Sequence, residues 1–357
     1  MTRNVPLAPF STLGVGGAAE WYTSATTPDD IAAAHAWSRE RGVPLTVLGG
    51  GSNVVIADAG IRGLVLHNRL DGMAFWKDPD DTLVTAGAGE PWDNLVAACV
   101  AKGLAGVECL SGIPGGVGGT PIQNVGAYGQ EVADTVETVT VFDLQAGAMR
   151  TLPSAECRFA YRTSRFKTDE AGRWIVCAVT FRLRAGVPLV SYPDVRMQLE
   201  QRGIASPAVA DVREAVLAVR RRKGMVLDAA DADTHSVGSF FVNPILTGDH
   251  RERIASVSGQ PVPGFGRSDG RVKVPAAWLI EHAGFSRGTV DGAAGISSKH
   301  TLALINRGGA TAADIVRLAV RIKRTVADRF GVLLRPEPVF LGFAASPDLD
   351  YLRTDHH

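Results

Sequence analysis

Between Ser111 and Gly129 the chain reads SGIPGGVGGTPIQNVGAYG, with seven glycines in one short segment. A flexible linker of that glycine content would be polar, whereas here the glycines alternate with Ile113, Val117, Ile122 and Val125. Such a pattern describes a packed backbone from which Cβ atoms have been removed so that another surface can come close. That surface is either a ligand or another strand. A second glycine block, GGGSN at Gly49, Gly50, Gly51, Ser52 and Asn53, follows the apolar run PLTVL. Its bare amides and two polar side chains suit a phosphate, and a plain tight turn accounts for it equally. Neither block is a G-x-x-x-x-G-K-[ST] loop or a G-x-G-x-x-G turn opening a helix.

Helical periodicity marks the stretch from Thr26 to Arg41, where Thr27 can cap and Pro28 suits the first helical position. Further helices are expected at Pro91–Lys102, Ala208–Gly224, Pro275–Gly284 and Thr311–Phe330. In the last of these Ile315, Leu318, Ile322, Val326 and Phe330 recur at three- and four-residue steps, and Thr311 with Asp314 forms a capping pair. Strands are expected in PLTVLGGGSN, where a buried strand enters a glycine turn, at Gly63–Leu66, Thr82–Thr85, within ETVTVFDLQAG and RWIVCAVTFRLRAG, at TLALIN, and as one strand through VLLRPEPVFLG. Gly186 to Ala208, with Pro188, Pro193 and Pro207, reads as a boundary or functional loop. Ala344 to His357 reads as a frayed tail.

A chain of 357 residues exceeds what one hydrophobic core usually holds, so two or three domains are expected. The 37 basic and 37 acidic residues cancel, which excludes a field strong enough to hold a nucleic-acid backbone or an anionic membrane. No apolar run approaches the roughly 18 residues of a membrane span, and MTRNVPLAPF has no signal-peptide pattern. Cys99, Cys109, Cys157 and Cys177 are widely spaced, without a zinc or dithiol pair, and read as buried reduced thiols. A cytoplasmic, monomeric protein without a metal is expected.

The ordered blocks GGGSN, SGIPGGVGGTPIQNVGAYG, YRTSRFK, GSFFVNP, SSKHTLALIN and RPEPVFLG resemble the UDP-N-acetylenolpyruvoylglucosamine reductase family, over roughly Ser11 to Gly342. The likeness is to its longer subtype, which has a substrate-covering tyrosine loop. It implies an α+β chain: an FAD-binding domain of the vanillyl-alcohol-oxidase (PCMH) type, followed by a smaller α+β substrate-binding domain. The expected division is 1–188 for the FAD region, with subdomains at about 1–66 and 67–188. Residues 189–224 form a loop and connecting helix, 225–333 the substrate domain, and 334–357 a strand returning to the active site and a tail. The implied reaction is NADPH-dependent reduction of UDP-N-acetylglucosamine enolpyruvate to UDP-N-acetylmuramate through bound FAD, in peptidoglycan precursor synthesis.

The same resemblance carries roles to individual residues. FAD would rest on Gly49, Gly50, Gly51, Ser52, Asn53, Ile113, Pro114, Gly115, Gly119, Gln123, Gly126 and Tyr128. Ser239 matches the proton donor, with Phe240 and Phe241 expected to exclude water. Glu337 and Arg162 match the groups at the enolate and carboxylate. Tyr192, Lys223, Asn243 and His300 match contacts to the nucleotide substrate. From pattern alone, Ser239 is an ordinary structural serine with Ser236 as competitor, Arg162 belongs to a solvated basic loop, Glu337 is a salt-bridged strand residue, and Lys223 complements a helix C-terminus. The chain departs from the family pattern at Val242, where many members carry Lys, and at Pro338-Val339, where many carry Val-Arg. Two other readings stay open: another FAD-dependent oxidase on the same FAD domain, and a non-redox nucleotide-sugar binding protein.

Overall fold

The first helix starts where a capping box can form. In the computed structural model, which describes residues 1–354, Thr27 Oγ1 accepts from the Asp30 N–H at 3.2 Å and Asp30 Oδ2 accepts from the Thr27 N–H at 2.9 Å. Pro28 fits the first turn, and the helix Pro28–Arg41 ends on the left-handed Gly42 (φ 62°). It covers a sheet with strand order Thr2–Pro6, Ala18–Ala25, Ile61–Asn68, Leu45–Leu48, the last three paired in parallel. Ala25, Ile31, Ala34, Leu64 and Leu66 make the core between them.

An antiparallel sheet follows, in the order Ala148–Pro153, Val136–Asp143, Trp174–Ala185, Thr82–Gly87, Met73–Lys77. The helix Trp92–Ala101 shares its core, in which Trp92, Leu95 and Val96 meet Val139, Val179 and Phe181. Val117 of the glycine segment is fully buried in that core, and Ile113, Ile122 and Val125 pack against it. The packed reading of Ser111–Gly129 therefore holds.

By clustering of contacts the chain forms two units, one made of Met1–Val5, Ala19–Gly51 and Ile61–Val226, the other of Pro6–Ala18, Ser52–Gly60 and Leu227 onward. The second unit thus takes in two pieces of the N-terminal region that a continuous 1–188 division assigns elsewhere. Within it, the sheet runs Ser236–Ser239, Ala303–Asn306, Ala294–Ile296, Val290–Asp291, and the long helix Ala312–Phe330 packs on its last three-residue and four-residue strands. Asp58 receives the helix's first amides, from Ala312 at 2.7 Å and Ala313 at 3.0 Å, so an N-terminal carboxylate caps a C-terminal helix. Asn306 Nδ2 donates to the Leu13 carbonyl at 3.1 Å, and Val54–Ile56 pairs in parallel with Val339–Leu341.

Three expectations need correction. Gly186–Ala208 is not merely irregular: Pro193–Gln201 is a helix whose Val195 and Leu199, four residues apart, are buried. The supposed tail contains the helix Pro347–Arg353, capped by Ser346 and packed on the long helix through Leu349 and Leu352; the tail's residues 355–357 lie outside the described residues. The single strand through VLLRPEPVFLG is broken, because Pro336 and Pro338 have no N–H to donate. Only Val339–Leu341 is a strand, and Phe241 and Pro336 form an isolated bridge before it. All four cysteines are buried and free, and among the described residues no helix is long and apolar enough to cross a membrane.

Candidate active site

The two glycine blocks of the first unit meet. A Cβ placed on Gly50 would lie 2.7 Å from Gly115 Cα and 2.8 Å from Gly116 N, closer than real Cβ contacts allow. Gly116 and Gly118 are equally closed, by the Ala88 carbonyl at 2.8 Å and Ala88 Cβ at 2.5 Å. Gly49 and Gly119 have nothing within 4 Å of such a Cβ. The glycines thus divide: Gly50, Gly116 and Gly118 press on other parts of the chain, while Gly49 and Gly119 face open space. The segment is gripped from the side, since the Trp92 N–H donates to the Gly115 carbonyl at 2.9 Å and Asp93 accepts from the Gly112 N–H at 2.6 Å. By contrast, the N–H groups of Gly49, Gly50, Gly51, Ile113, Gly115 and Gly116 donate to no acceptor among the described residues. Unspent amides on two adjoining loops suit an anion.

Left-handed backbone gathers just beyond. Of the five described non-glycine residues with a left-handed backbone, the others being Asn4 and Arg158, Asn124 (φ 47°), Tyr128 (φ 50°) and Arg162 (φ 56°) belong here; side chains disfavour this conformation, and such strain concentrates at functional positions. Arg162 donates to the carbonyls of Gly126 and Asn124, which ties the basic loop to the end of the glycine segment. Its half-buried guanidinium is therefore held in place, unlike a solvated side chain. Pro114 and Gln123, within the glycine segment, are half-buried.

Tyr128 also joins residues that the sequence separates widely. Its ring stands edge-on to Tyr192 at 5.3 Å between centroids, and Lys223 Nζ lies 5.9 Å above it. Lys223 in turn pairs with Asp194 at 2.6 Å. Burial pushes the Tyr128 and Tyr192 hydroxyls up from their ordinary pKa. The segment leading to Tyr192 is anchored by Glu108, a fully buried carboxylate that accepts from the N–H groups of Leu189 (2.9 Å) and Gly106 (2.6 Å). Sequence reading missed Glu108, Asp194 and Arg220. Arg220 had a signal: it continues the buried stripe of Val212, Ala215, Val216 and Val219 on the helix Val209–Arg222. Its Nη2 donates to the carbonyls of Met225 (2.6 Å) and Gly112 (3.3 Å), its Nε has no partner, and burial lowers its pKa.

In the second unit, Ser236 and Ser239 end up with different tasks. Ser236 is 5% exposed; its hydroxyl accepts from the Gly238 N–H at 3.1 Å and its carbonyl accepts from Thr12 Oγ1 at 2.6 Å, so it is spent on the turn. Ser239 is half-buried, and its hydroxyl makes no hydrogen bond among the described residues. Next to it the Phe240 N–H donates to the Leu302 carbonyl at 2.8 Å, and the Glu337 N–H donates to the Phe240 carbonyl at 2.8 Å. Ser239 thus sits in a strip of chain clamped between the strand after His300 and the RPEP segment bearing Glu337. Asn53 completes the clamp: its carbonyl accepts from the Val339 N–H at 3.0 Å and its Nδ2 donates to the Glu337 carbonyl at 3.4 Å.

This backbone route explains the departures. Pro338 falls where the chain changes partner, between the Glu337 and Val339 amides that do bond, so no donor is missed there. Val242 is a core residue, 7% exposed. Phe240 and Phe241, 0% and 1% exposed, are also core residues, with their rings edge-on at 5.2 Å between centroids, and they back the strip. Asn243 Oδ1 accepts from the Ala276 N–H at 2.8 Å, at the start of the helix Ala276–His282, which leaves only its NH2 for other bonding. His300 lies half-buried in a turn held by Asp233, which accepts from the Ser298 N–H and hydroxyl at 2.9 and 2.6 Å.

Known proteins fit this division of labour. Residues 19–152 match the family model of an FAD binding domain, which makes the first unit that of a flavoprotein of the vanillyl-alcohol-oxidase type. Residues 230–341 match the model of the UDP-N-acetylenolpyruvoylglucosamine reductase C-terminal domain. The chain is 50% identical over 351 residues to UDP-N-acetylenolpyruvoylglucosamine reductase of Thermobifida fusca, covering 95% of this chain and 98% of that one. It is 46% identical to the protein of that name from Streptomyces coelicolor, covering 96% and 90%. The crystal structure of UDP-N-acetylenolpyruvylglucosamine reductase from Thermus caldophilus superposes with a TM-score of 0.64 at 26% identity, over 96% of this chain and 99% of that one. The chain belongs to the UDP-N-acetylenolpyruvoylglucosamine reductase family.

Proposed function

We propose that the protein reduces UDP-N-acetylglucosamine enolpyruvate to UDP-N-acetylmuramate with NADPH through bound FAD, as a cytoplasmic monomer serving peptidoglycan synthesis. The observation that carries this reading is the unengaged hydroxyl of Ser239, clamped beside the backbone of Glu337 while Ser236 is committed to the fold. Held on the two glycine loops, FAD would supply hydride transfer from NADPH to the substrate's terminal vinyl carbon. The unspent amides at Gly49–Gly51 and Ile113–Gly116, abutting through Gly50, suit its pyrophosphate, and the open sides of Gly49 and Gly119 leave room for it. Ser52, Asn53, Pro114, Gln123, Gly126 and Tyr128 complete the proposed cofactor contacts.

Addition of hydride leaves negative charge on the carbon beside the substrate carboxylate. The Ser239 hydroxyl donates the proton to that carbon, a contribution typically of about 10²–10⁴-fold. Arg162 meets the carboxylate with fixed planar donors, and Glu337 stands at the enolate. Tyr192 covers the nucleotide, Lys223 holds its diphosphate, and Asn243 and His300 add contacts. Lys223, whose side chain is 36% exposed, follows three arginines in the last turn of its helix, and that local positive charge suits an anion.

The test is anaerobic. After NADPH reduction of the holoenzyme, the enolpyruvyl nucleotide should restore the oxidised flavin absorbance; no response to the nucleotide with rapid reoxidation on later admission of air, or protein unable to bind FAD, would refute the reading. Ser239→Ala and Glu337→Gln should slow that reoxidation about 10²–10³-fold with FAD retained. Ser236→Ala should reoxidise normally, and near-normal rates in the first two variants would remove their roles.

A further inference from the structure

Lys223, read above as the residue that holds the substrate diphosphate, already has an anion. Asp194 Oδ2 lies 2.6 Å from its Nζ, and the two side chains are 38% and 36% exposed. One ammonium cannot serve a carboxylate and a diphosphate together without crowding like charges at contact distance. We propose that Asp194 is an internal competitor for the diphosphate: it holds Lys223 over Tyr128 until the nucleotide arrives, gives up the ammonium on binding, and so sets the nucleotide affinity.

The surroundings determine how Asp194 can leave. It sits in the first turn of Pro193–Gln201, a helix fixed by the buried Val195 and Leu199, so side-chain rotation releases Lys223 and the helix need not move. After rotation the carboxylate still complements the helix N-terminus, and only the ion pair is lost. Tyr192 immediately precedes it across Pro193, whose ring fixes φ, so exchange at Lys223 occurs at the root of the covering tyrosine. Besides Lys223 and Asp194, the charged groups that act on Tyr128 and Tyr192 are Arg220 and Arg222. Neither is a carboxylate that could replace Asp194. Exposed pairs of this kind are weak, so its removal should change affinity by about two- to fivefold.

The proposal rests on the reading of Lys223 and is tested in the holoenzyme. Calorimetric titration with UDP-N-acetylmuramate and steady-state kinetics are compared for wild type, Asp194→Asn, Asp194→Ser, Lys223→Ala and the Asp194→Asn/Lys223→Ala double variant. Both Asp194 variants should tighten product Kd and lower the nucleotide KM about two- to fivefold. Flavin absorbance and the rate of flavin reduction by NADPH should be unchanged. On the Lys223→Ala background the Asp194 change should do nothing. Weaker or unaltered binding in both Asp194 variants would overturn the proposal, as would the same tightening without Lys223. If Lys223→Ala alone leaves nucleotide affinity intact, the diphosphate assignment itself fails, and that outcome is distinct from a failure confined to Asp194.

Discussion

Gly50→Ala is the sharpest probe of the cofactor loops, because the atoms it would strike are backbone. The new Cβ would lie 2.7, 2.8 and 2.9 Å from Gly115 Cα, Gly116 N and Gly115 C. Relief to an ordinary carbon contact requires the two loops to part by roughly 0.5–1 Å, and no flexible side chain can absorb that shift. Overpacking of this sort costs about 1–3 kcal/mol of folding stability. The amides on the two loops would then no longer converge on one anion, and misplacement by about 1 Å in a positioned site can cost as much as 100-fold. Urea denaturation of the apoprotein and fluorescence titration with FAD measure the two effects separately. The control is Gly49→Ala, where nothing in the protein lies within 4 Å of the methyl: its stability should match wild type or slightly exceed it, while FAD binding weakens. Wild-type stability and FAD affinity in Gly50→Ala would refute the close apposition, and unchanged FAD affinity in Gly49→Ala would remove the cofactor from that open side.

Acid should act through Asp93, where burial raises the carboxyl pKa but hydrogen bonds from Arg213 and the Gly112 N–H outweigh it, for a net lowering. Stability from a lowered carboxyl is complete above about pH 4, its unfolded value, and fades as pH falls through the lower folded value. Asp93→Asn should therefore be less stable than wild type at neutral pH, with the gap narrowing in acid; a constant gap in denaturation across pH would exclude this linkage. Lys323, fully buried, donates to the carbonyls of Leu352 (2.9 Å) and Thr354 (2.7 Å) at the end of the last helix. Lys323→Met should cost about 1–3 kcal/mol and expose the helix Pro347–Arg353 to proteases, and undiminished protection would argue that Leu349 and Leu352 alone hold it.

Elements with a strong local signal were legible in the sequence. Thr27 and Thr311 with their acidic partners marked two helix starts, and the apolar stripe from Ile315 to Phe330 marked one face. The helix Pro193–Gln201 escaped because its buried face amounts to Val195 and Leu199, set among prolines that suggested a loop. The parallel pairing of Val54–Ile56 with Val339–Leu341 leaves no trace in either segment, since register between distant strands is fixed by what they pack on. At the candidate site, the resemblance singled out Ser239, but only the bond from the Gly238 N–H to Ser236 separates the two serines. Likewise Asp194 could not be linked with Lys223 before the two helices carrying them were seen to pack together.

The discontinuous second unit bears on how the chain is made. Val54–Ile56 is synthesised well before its parallel partner Val339–Leu341, and the long helix that Asp58 caps emerges only shortly before that partner. The first unit can complete its sheets while translation continues, whereas Pro6–Ala18 and Ser52–Gly60 must wait for the segments from Leu227 onward. During that interval Leu13, Val15 and Val55, which end as core residues, have no partners to bury them. Nascent chains of this protein should therefore be clients for chaperones that bind exposed apolar segments near the N-terminus. A truncated gene beginning at Leu227 would encode a fragment without the strand and cap its fold requires.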